Sequence, residues 1–323
     1  MNSFADRLID AAARLDNPTV LGLDPMLEYI PDDILAKAAA GAPTPAGAAA
    51  KAIFAFNCRL IDAVSDIIPA VKLQSAYYEL YGHHGVEAFA QTAEYAQSRG
   101  LLAIADCKRN DIGSTAEAYA TAYLGRTRFP EGFSTAMFDM DAITVNPYLG
   151  FDGIEPFVRL CEQEGKGIFI LVRTSNPSAV DFQDLLLDSG ESLYERVADR
   201  VTVWGRGLVG RSGYSSVGAV VGATWPDQAM HLRERMPGVL FLVPGYGTQG
   251  ATAADVCASF DAEGRGAIVN ASRSLMCAYR RVEGGTKDGF EEACRMEALR
   301  MRDEIRAALD HCGKIRRVSP EES

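Results

Sequence analysis

Short β-branched or apolar runs alternate with longer, Ala-rich helical stretches along this chain, and the alternation occurs eight times. The runs are Thr19-Val20-Leu21-Gly22-Leu23-Asp24, Ala70-Val71-Lys72-Leu73-Gln74, the stretch opening at Ala103, Ala142-Ile143-Thr144-Val145-Asn146, Gly167 to Val172, Val217 to Gly222, Val239 to Val243 and Gly266 to Asn270. Strands separated by helices imply a parallel sheet buried on both faces, and eight such units can close on themselves. The expected fold is therefore α/β, a (β/α)8 TIM barrel formed as a single domain by residues 1–323. An open doubly wound sheet is the alternative, since short apolar runs are easily miscounted.

Within that frame a long helix is expected between Pro43 and Ile67, with Pro45 in its first turn, and another from Gly85 to Arg99. Extra length at 125–139, 176–216 and 272–288 reads as long βα loops over the site face, and 313–323 reads as a polar tail. No Pro/Gly linker marks a second domain.

At 323 residues, 48% hydrophobic and 23% charged, the chain can bury a large core. Its net charge of −11 argues against broad binding to nucleic acid or anionic membrane, so an anionic ligand must be held by a local cluster. Seven scattered cysteines without a C-x-x-C suggest neither a disulfide framework nor a zinc site. Charges at Asp6, Arg7, Asp10, Arg14 and Asp16 interrupt any signal-peptide core, and no uncharged run is long enough to span a bilayer. The expectation is a cytoplasmic protein.

The third run, Ala103-Ile104-Ala105-Asp106-Cys107-Lys108-Arg109-Asn110-Asp111-Ile112-Gly113-Ser114-Thr115, carries the chemistry. Asp106 and Lys108, two apart on an extended chain, share a side, while Asp111 falls on the loop beyond. Parity extends the pattern. Val20, Gly22 and Asp24 share one face of the first strand, and Ala70, Lys72 and Gln74 one face of the second; Leu21, Leu23, Val71 and Leu73 take the helical side. Lys72, Asp24, Asp106 and Lys108 thus converge at the C-terminal mouth, where barrel enzymes keep their sites. Such charges can also form a salt-bridged plug. As a site they suit moving a proton from Lys and stabilising negative charge.

A second component follows the last two strands: the Gly-rich turn Val243-Pro244-Gly245-Tyr246-Gly247-Thr248-Gln249-Gly250, and Asn270-Ala271-Ser272-Arg273. Backbone N–H groups plus an Arg fork make an anion site, and barrel phosphate sites usually lie there. Arg265, Arg280 and Arg281 are nearby substitutes for Arg273. The adjacent His83 and His84 would point to opposite sides of an extended chain, which disfavours joint metal binding.

The run from Asp106 to Thr115 matches D-x-K-x-x-D-I-x-x-T, and by it the chain resembles the orotidine 5′-monophosphate decarboxylase family, nearer its mycobacterial-type branch. The resemblance implies that Lys72, Asp106, Lys108 and Asp111 form an alternating charged tetrad, with Asp111 reaching across a homodimer interface accompanied by Ile112 and Thr115. It implies that Asp24 contacts ribose, Ser175 the pyrimidine, and Gln249 and Arg273 the phosphate. It further implies decarboxylation of orotidine 5′-monophosphate to uridine 5′-monophosphate in pyrimidine biosynthesis, with Lys108 protonating ring C6 and with no metal and no organic cofactor. The eighth strand departs from the commoner branch, reading Val-Asn-Ala-Ser-Arg in place of Val-Gly-Arg. Two other readings use the same barrel. One is a metal-dependent sugar-phosphate decarboxylase or epimerase, whose members resemble the chain at D-x-K-x-x-D but place a Glu where Lys72 stands. The other is a catalytically silent barrel that binds a nucleotide or sugar phosphate.

Overall fold

Eight parallel strands close into a barrel in the computed structural model, which describes residues 2–247, 250–282 and 285–314. They are β1 (Thr19–Leu23), β2 (Ala70–Gln74), β3 (Leu102–Arg109), β4 (Ala142–Val145), β5 (Gly167–Arg173), β6 (Ser215–Val221), β7 (Val239–Pro244) and β8 (Ala267–Ala271). Each pairs with its neighbour in sequence, and β8 returns to β1 through Thr19 opposite Val269 and Val20 opposite Asn270. Closure removes the open-sheet alternative.

The helices follow in chain order. α1 (Phe4–Leu15) precedes the barrel; α2 (Asp32–Ala40) and α3 (Pro45–Val64) follow β1; α4 (Ser75–Glu79) and α5 (Gly82–Ser98) follow β2. Single connections carry α6 (Gly113–Leu124), α7 (Glu155–Glu164), α8 (Leu193–Gly205), α9 (Pro226–Arg235) and α10 (Ala253–Cys257). α11 (Arg273–Met276) and α12 (Phe290–His311) complete the chain's ring. Local chemistry sets several starts: Thr44 caps α3 by accepting from the Gly47 N–H with Pro45 in the first turn, and Ser192 and Glu195 form a capping box on α8.

Parity sorts the core into two. Leu21, Leu23, Val71 and Leu73 pack outward with the helices, whereas Val20, Ala70, Ile104, Ala142, Phe169, Leu242 and Ile268 fill the barrel. Phe4, Ala5 and Leu8 of α1 join the interior cluster, and the Phe4 ring meets Phe169 edge-on at 5.8 Å. Gly167 makes this possible, because a Cβ there would lie 2.1 Å from the Phe4 ring. The N-terminal end is thereby stoppered with apolar side chains, and the polar interior positions are left to the opposite mouth.

Two of the three long stretches are placed differently from expectation. Gly125–Asp139 leaves α6 and enters β4, so it lies at the N-terminal end, away from the site face, and contains a small hairpin pairing Thr127–Arg128 with Ser134–Thr135. Within 176–216, the part before Leu193 follows β5 over the site face, the middle is α8 itself, and 206–214 returns at the far end. Extra length alone does not say on which side of a helix it falls. The 272–288 stretch does follow β8, as α11 and the short turns Ala278–Arg281 and Lys287–Gly289. Among the described residues no helix is long and apolar enough to cross a membrane.

Candidate active site

Asp106 is the centre of the site because four donors converge on its carboxylate. Oδ2 accepts from Lys72 Nζ at 2.8 Å and from Gln74 Nε2 at 3.1 Å; Oδ1 accepts from Lys108 Nζ at 2.6 Å and from the Thr144 hydroxyl at 3.0 Å. Asp24, at the end of β1, places Oδ1 3.7 Å from the same Lys72 ammonium. These groups meet because Lys72, Gln74, Asp106 and Thr144 occupy interior positions of adjacent strands, with Gln74 opposite Asp106 in the β2–β3 register.

Burial opposes both charges at the centre, and the pairing outweighs it. For Asp106, burial alone would raise the carboxyl, but the Lys72 and Lys108 ammonium groups and their hydrogen bonds hold it well below the usual carboxylate range. For Lys72, only 4% exposed in its side chain, burial would depress the ammonium, but Asp106 and Asp24 raise it instead. Lys108 differs in being 45% exposed, so one lysine backs the carboxylate from inside while the other approaches from the solvent side.

β3 does not stay regular as it delivers Lys108. Ala105 pairs with Ile143 and Arg109 with Val145, so the stretch between them is longer on β3 than on β4, and Lys108 adopts a left-handed φ of 46°. The other non-glycine residues with positive φ among those described are both Asp. The Thr144 hydroxyl fills the gap in the ladder, accepting from the Cys107 N–H at 3.1 Å and the Lys108 N–H at 3.0 Å.

A cavity of about 310 Å³ opens above this centre. Its floor includes Asp24, Lys72, Gln74 and Asp106; its other wall is Pro244, Gly245 and Tyr246 after β7 and Asn270, Ser272 and Arg273 after β8, with Tyr29 and Tyr77 alongside. Gly22 leaves room for that wall, since a Cβ there would sit 2.0 Å from Ser272 Oγ and 2.9 Å from Asn270 Oδ1. Two buried acceptors at the cavity, Asp24 Oδ1 and Asn270 Oδ1, have no hydrogen-bond partner among the described residues, which suits a ligand bearing hydroxyl donors.

The positions singled out from sequence thus divide. Asp24, Lys72, Asp106 and Arg273 line the cavity, and Lys108 joins them through its ion pair with Asp106. Ser175 stands behind its wall, its hydroxyl donating to Pro244 O at 3.5 Å. Asp111, Ile112 and Thr115 stay outside at the start of α6, where the Asp111 carboxylate accepts from the Ile112 N–H and Ile112 is 53% exposed. Gln249 lies outside the described residues.

Of the substitutes for Arg273, Arg265 borders a separate hollow between α1 and α12 at the opposite end of the barrel, and Arg281 is engaged by Glu297 at 2.7 Å. Arg280 remains on the site side, 5.2 Å from the Tyr29 ring. Burial and the Cys277 thiol push the Tyr29 phenol up, against the nearby Arg273 guanidinium. His83 and His84 open α5 instead of an extended chain, with rings 4.0 Å apart and His84 3.4 Å from the Thr44 hydroxyl. Their opposite-sides argument therefore fails, although no group of three metal-ligand side chains occurs among the described residues.

Gln74, Thr144, Asn270 and Ser272 were not singled out from sequence. Thr144 carried a signal, as a polar residue at an interior position of Ala142-Ile143-Thr144-Val145; so did Gln74, which shares the Lys72 face.

Known proteins resemble the chain over nearly its whole length. The model of the orotidine 5′-phosphate decarboxylase / HUMPS family matches residues 21–285, from within β1 to beyond β8. A protein from Caldicellulosiruptor bescii named orotidine 5′-phosphate decarboxylase is 41% identical over 309 residues, covering 96% of this chain and 100% of its own. One of the same name from Rhodopirellula baltica is 41% identical over 312 residues, covering 95% and 100%. Among solved structures, the Leishmania donovani OMP decarboxylase matches with a TM-score of 0.67 at 31% identity, over 93% of this chain and 99% of that one. With the family model matched over residues 21–285 and likeness to relatives extending over nearly the whole chain, the chain belongs to the orotidine 5′-phosphate decarboxylase / HUMPS family.

Proposed function

We propose that the chain decarboxylates orotidine 5′-monophosphate to uridine 5′-monophosphate and CO2, as the names of its relatives indicate, and that it does so as a single-domain cytoplasmic enzyme of the mycobacterial-type branch. The observation that carries the reading is one buried carboxylate gripped on opposite oxygens by two lysines at the floor of a cavity whose far wall bears an arginine.

In this reading Arg273 and the turn after β7, including Gln249, hold the phosphate. Asp24 takes a ribose hydroxyl on Oδ1, which accepts no hydrogen bond from the described residues. Ser175 contacts the pyrimidine. These remote contacts bring the ring to the charged floor, with binding energy drawn from groups that do not react. Asp106 lies beside the leaving carboxylate, and Lys72, fixed by Asp106 and Asp24, supplies a compensating positive field. As the C6–carboxyl bond breaks, CO2 departs and its bonding pair remains on C6. The Lys108 ammonium transfers a proton to that carbon. No metal and no organic cofactor enters the scheme.

The same reading assigns Asp111, Ile112 and Thr115 to the cavity of a second copy of the chain. It is supported by their position outside their own cavity and by exposed apolar side chains on neighbouring βα loops, Leu80, Ile112, Tyr148 and Leu149. A homodimer would then hold two shared sites.

The test is the absorbance change of orotidine 5′-monophosphate with purified protein in excess EDTA. Decarboxylation that persists in EDTA is expected. Turnover abolished by EDTA and restored by a divalent cation would transfer the reading to the metal-dependent barrels, and binding without turnover would leave a silent barrel.

A further inference from the structure

We infer that Thr144 is a positioning residue for the proton transfer assigned to Lys108, an inference that rests on the decarboxylase reading. Thr144 is 1% exposed, and its hydroxyl uses its whole hydrogen-bonding capacity. It donates its one proton to Asp106 Oδ1 at 3.0 Å, and it accepts from the Cys107 and Lys108 N–H groups at 3.1 and 3.0 Å. Both N–H groups belong to the stretch where the pairing register jumps from Ala105 to Arg109 on β3 while β4 advances only from Ile143 to Val145.

The consequence is geometric. A lysine at a φ of 46° lies in the left-handed region that side chains other than glycine rarely adopt, and such conformations persist only when the surroundings fix them. The Thr144 hydroxyl is the group that does so here, from the neighbouring strand and through the Lys108 N–H itself. The same oxygen orients Asp106 Oδ1, onto which the Lys108 ammonium folds back at 2.6 Å. One side chain therefore sets both ends of the acid–donor pair: the backbone from which Lys108 springs and the carboxylate that receives its head. Its β-branched frame suits a strand, but valine would fill the same place without any of the three hydrogen bonds.

The experiment compares Thr144→Val with Thr144→Ser in the full chain, with uridine 5′-monophosphate titration counting competent sites in each preparation. Thr144→Val is expected to lower kcat per competent site by roughly 10- to 100-fold with KM within about threefold, the cost of a misplaced donor rather than of lost binding. Thr144→Ser, which keeps the hydroxyl, is expected to stay within about threefold of wild type in both. A valine variant with unchanged kcat per site, or a serine variant as impaired as valine, would overturn the inference. If Thr144→Val does not fold, Thr144→Cys replaces it, since a thiol of similar bulk is only a weak hydrogen-bonding group; a kcat equal to that of the serine variant would overturn it equally. Failure of the decarboxylase reading is separate and visible first, as wild-type protein that binds the nucleotide without turning it over.

Discussion

Lys72 Nζ donates to Asp106 Oδ2 at 2.8 Å in the most enclosed part of the barrel mouth, and each group moves the other's protonation away from its ordinary value. Asp106 is held below the unfolded carboxylate value of about 3.9, so its contribution to stability is present above that pH and is lost as pH falls through the still lower folded value. Lys72 is raised above the unfolded value of about 10.4, so its contribution is present below that pH and is lost as pH rises through the folded value. Between those limits the pair stabilises the fold fully.

Breaking one side of a buried pair so that the other charge is left uncompensated costs about 3–5 kcal/mol. Lys72→Met leaves Asp106 with Lys108, Gln74 and Thr144, so it is expected to lower stability at pH 7 by less than that, roughly 1–3 kcal/mol, measured by urea denaturation. Adding Asp106→Asn removes the half-paired carboxylate and should recover part of the loss, although neither protein should turn over substrate. A double variant no more stable than Lys72→Met would show that the cost lies in packing and not in charge.

Lys108→Ala is expected to fold and to bind uridine 5′-monophosphate within a few-fold of wild type. The Cβ is retained, so the left-handed backbone is no more strained than before, and Arg273, Asp24 and the turn after β7 are untouched. Loss of the proton donor should lower kcat by roughly 10²- to 10⁴-fold. Activity within tenfold of wild type in a stopped assay would remove Lys108 from that role.

Much of this site was legible before any coordinates because strand parity has a rigid period. Lys72 and Asp106 had to share the interior once their strands were recognised, and the interior cluster of Val20, Ala70 and Ile104 shows the same alternation. Parity does not encode a bulge. The side of Lys108 was inferred from an extended chain, whereas its ammonium returns to Asp106 from a left-handed residue clamped by Thr144, a partner 36 residues away on another strand. Likewise, composition marked Gly125–Asp139 as additional length, but only the end of α6 at Leu124 assigns it to the far face. The adjacent histidine rings come within 4.0 Å of each other because their segment is helical, which Gly82 and Gly85 obscured.

Among the described residues Arg273 is the one Arg that borders the cavity, and its charge-assisted fork should matter only for a ligand that carries phosphate. Arg273→Ala is expected to weaken uridine 5′-monophosphate by about 1.5–3 kcal/mol, roughly 10- to 150-fold in Kd, while uridine itself changes little. Isothermal titration with both ligands measures the difference. Equal losses for the two would move the phosphate contact to Arg280, which stands over Tyr29 on the same side.

The shared site is tested by mixing two defects. Asp111 lies past the end of β3, beyond its own cavity, with its carboxylate turned to the Ile112 N–H at the start of α6. If it serves the neighbouring copy, Lys108→Ala chains and Asp111→Ala chains are each inactive alone. A mixed dimer then contains one site with both defects and one with both residues intact. Random exchange at equal concentrations makes half the dimers mixed, each with one working site of two, so recovery should approach about a quarter of wild-type activity for a two-fold symmetric pair. If Asp111 acts within its own chain, every site keeps one defect and mixing restores nothing. Mass spectrometry of differently tagged chains establishes that exchange has occurred, and absence of recovery after that point would return Asp111 to its own barrel.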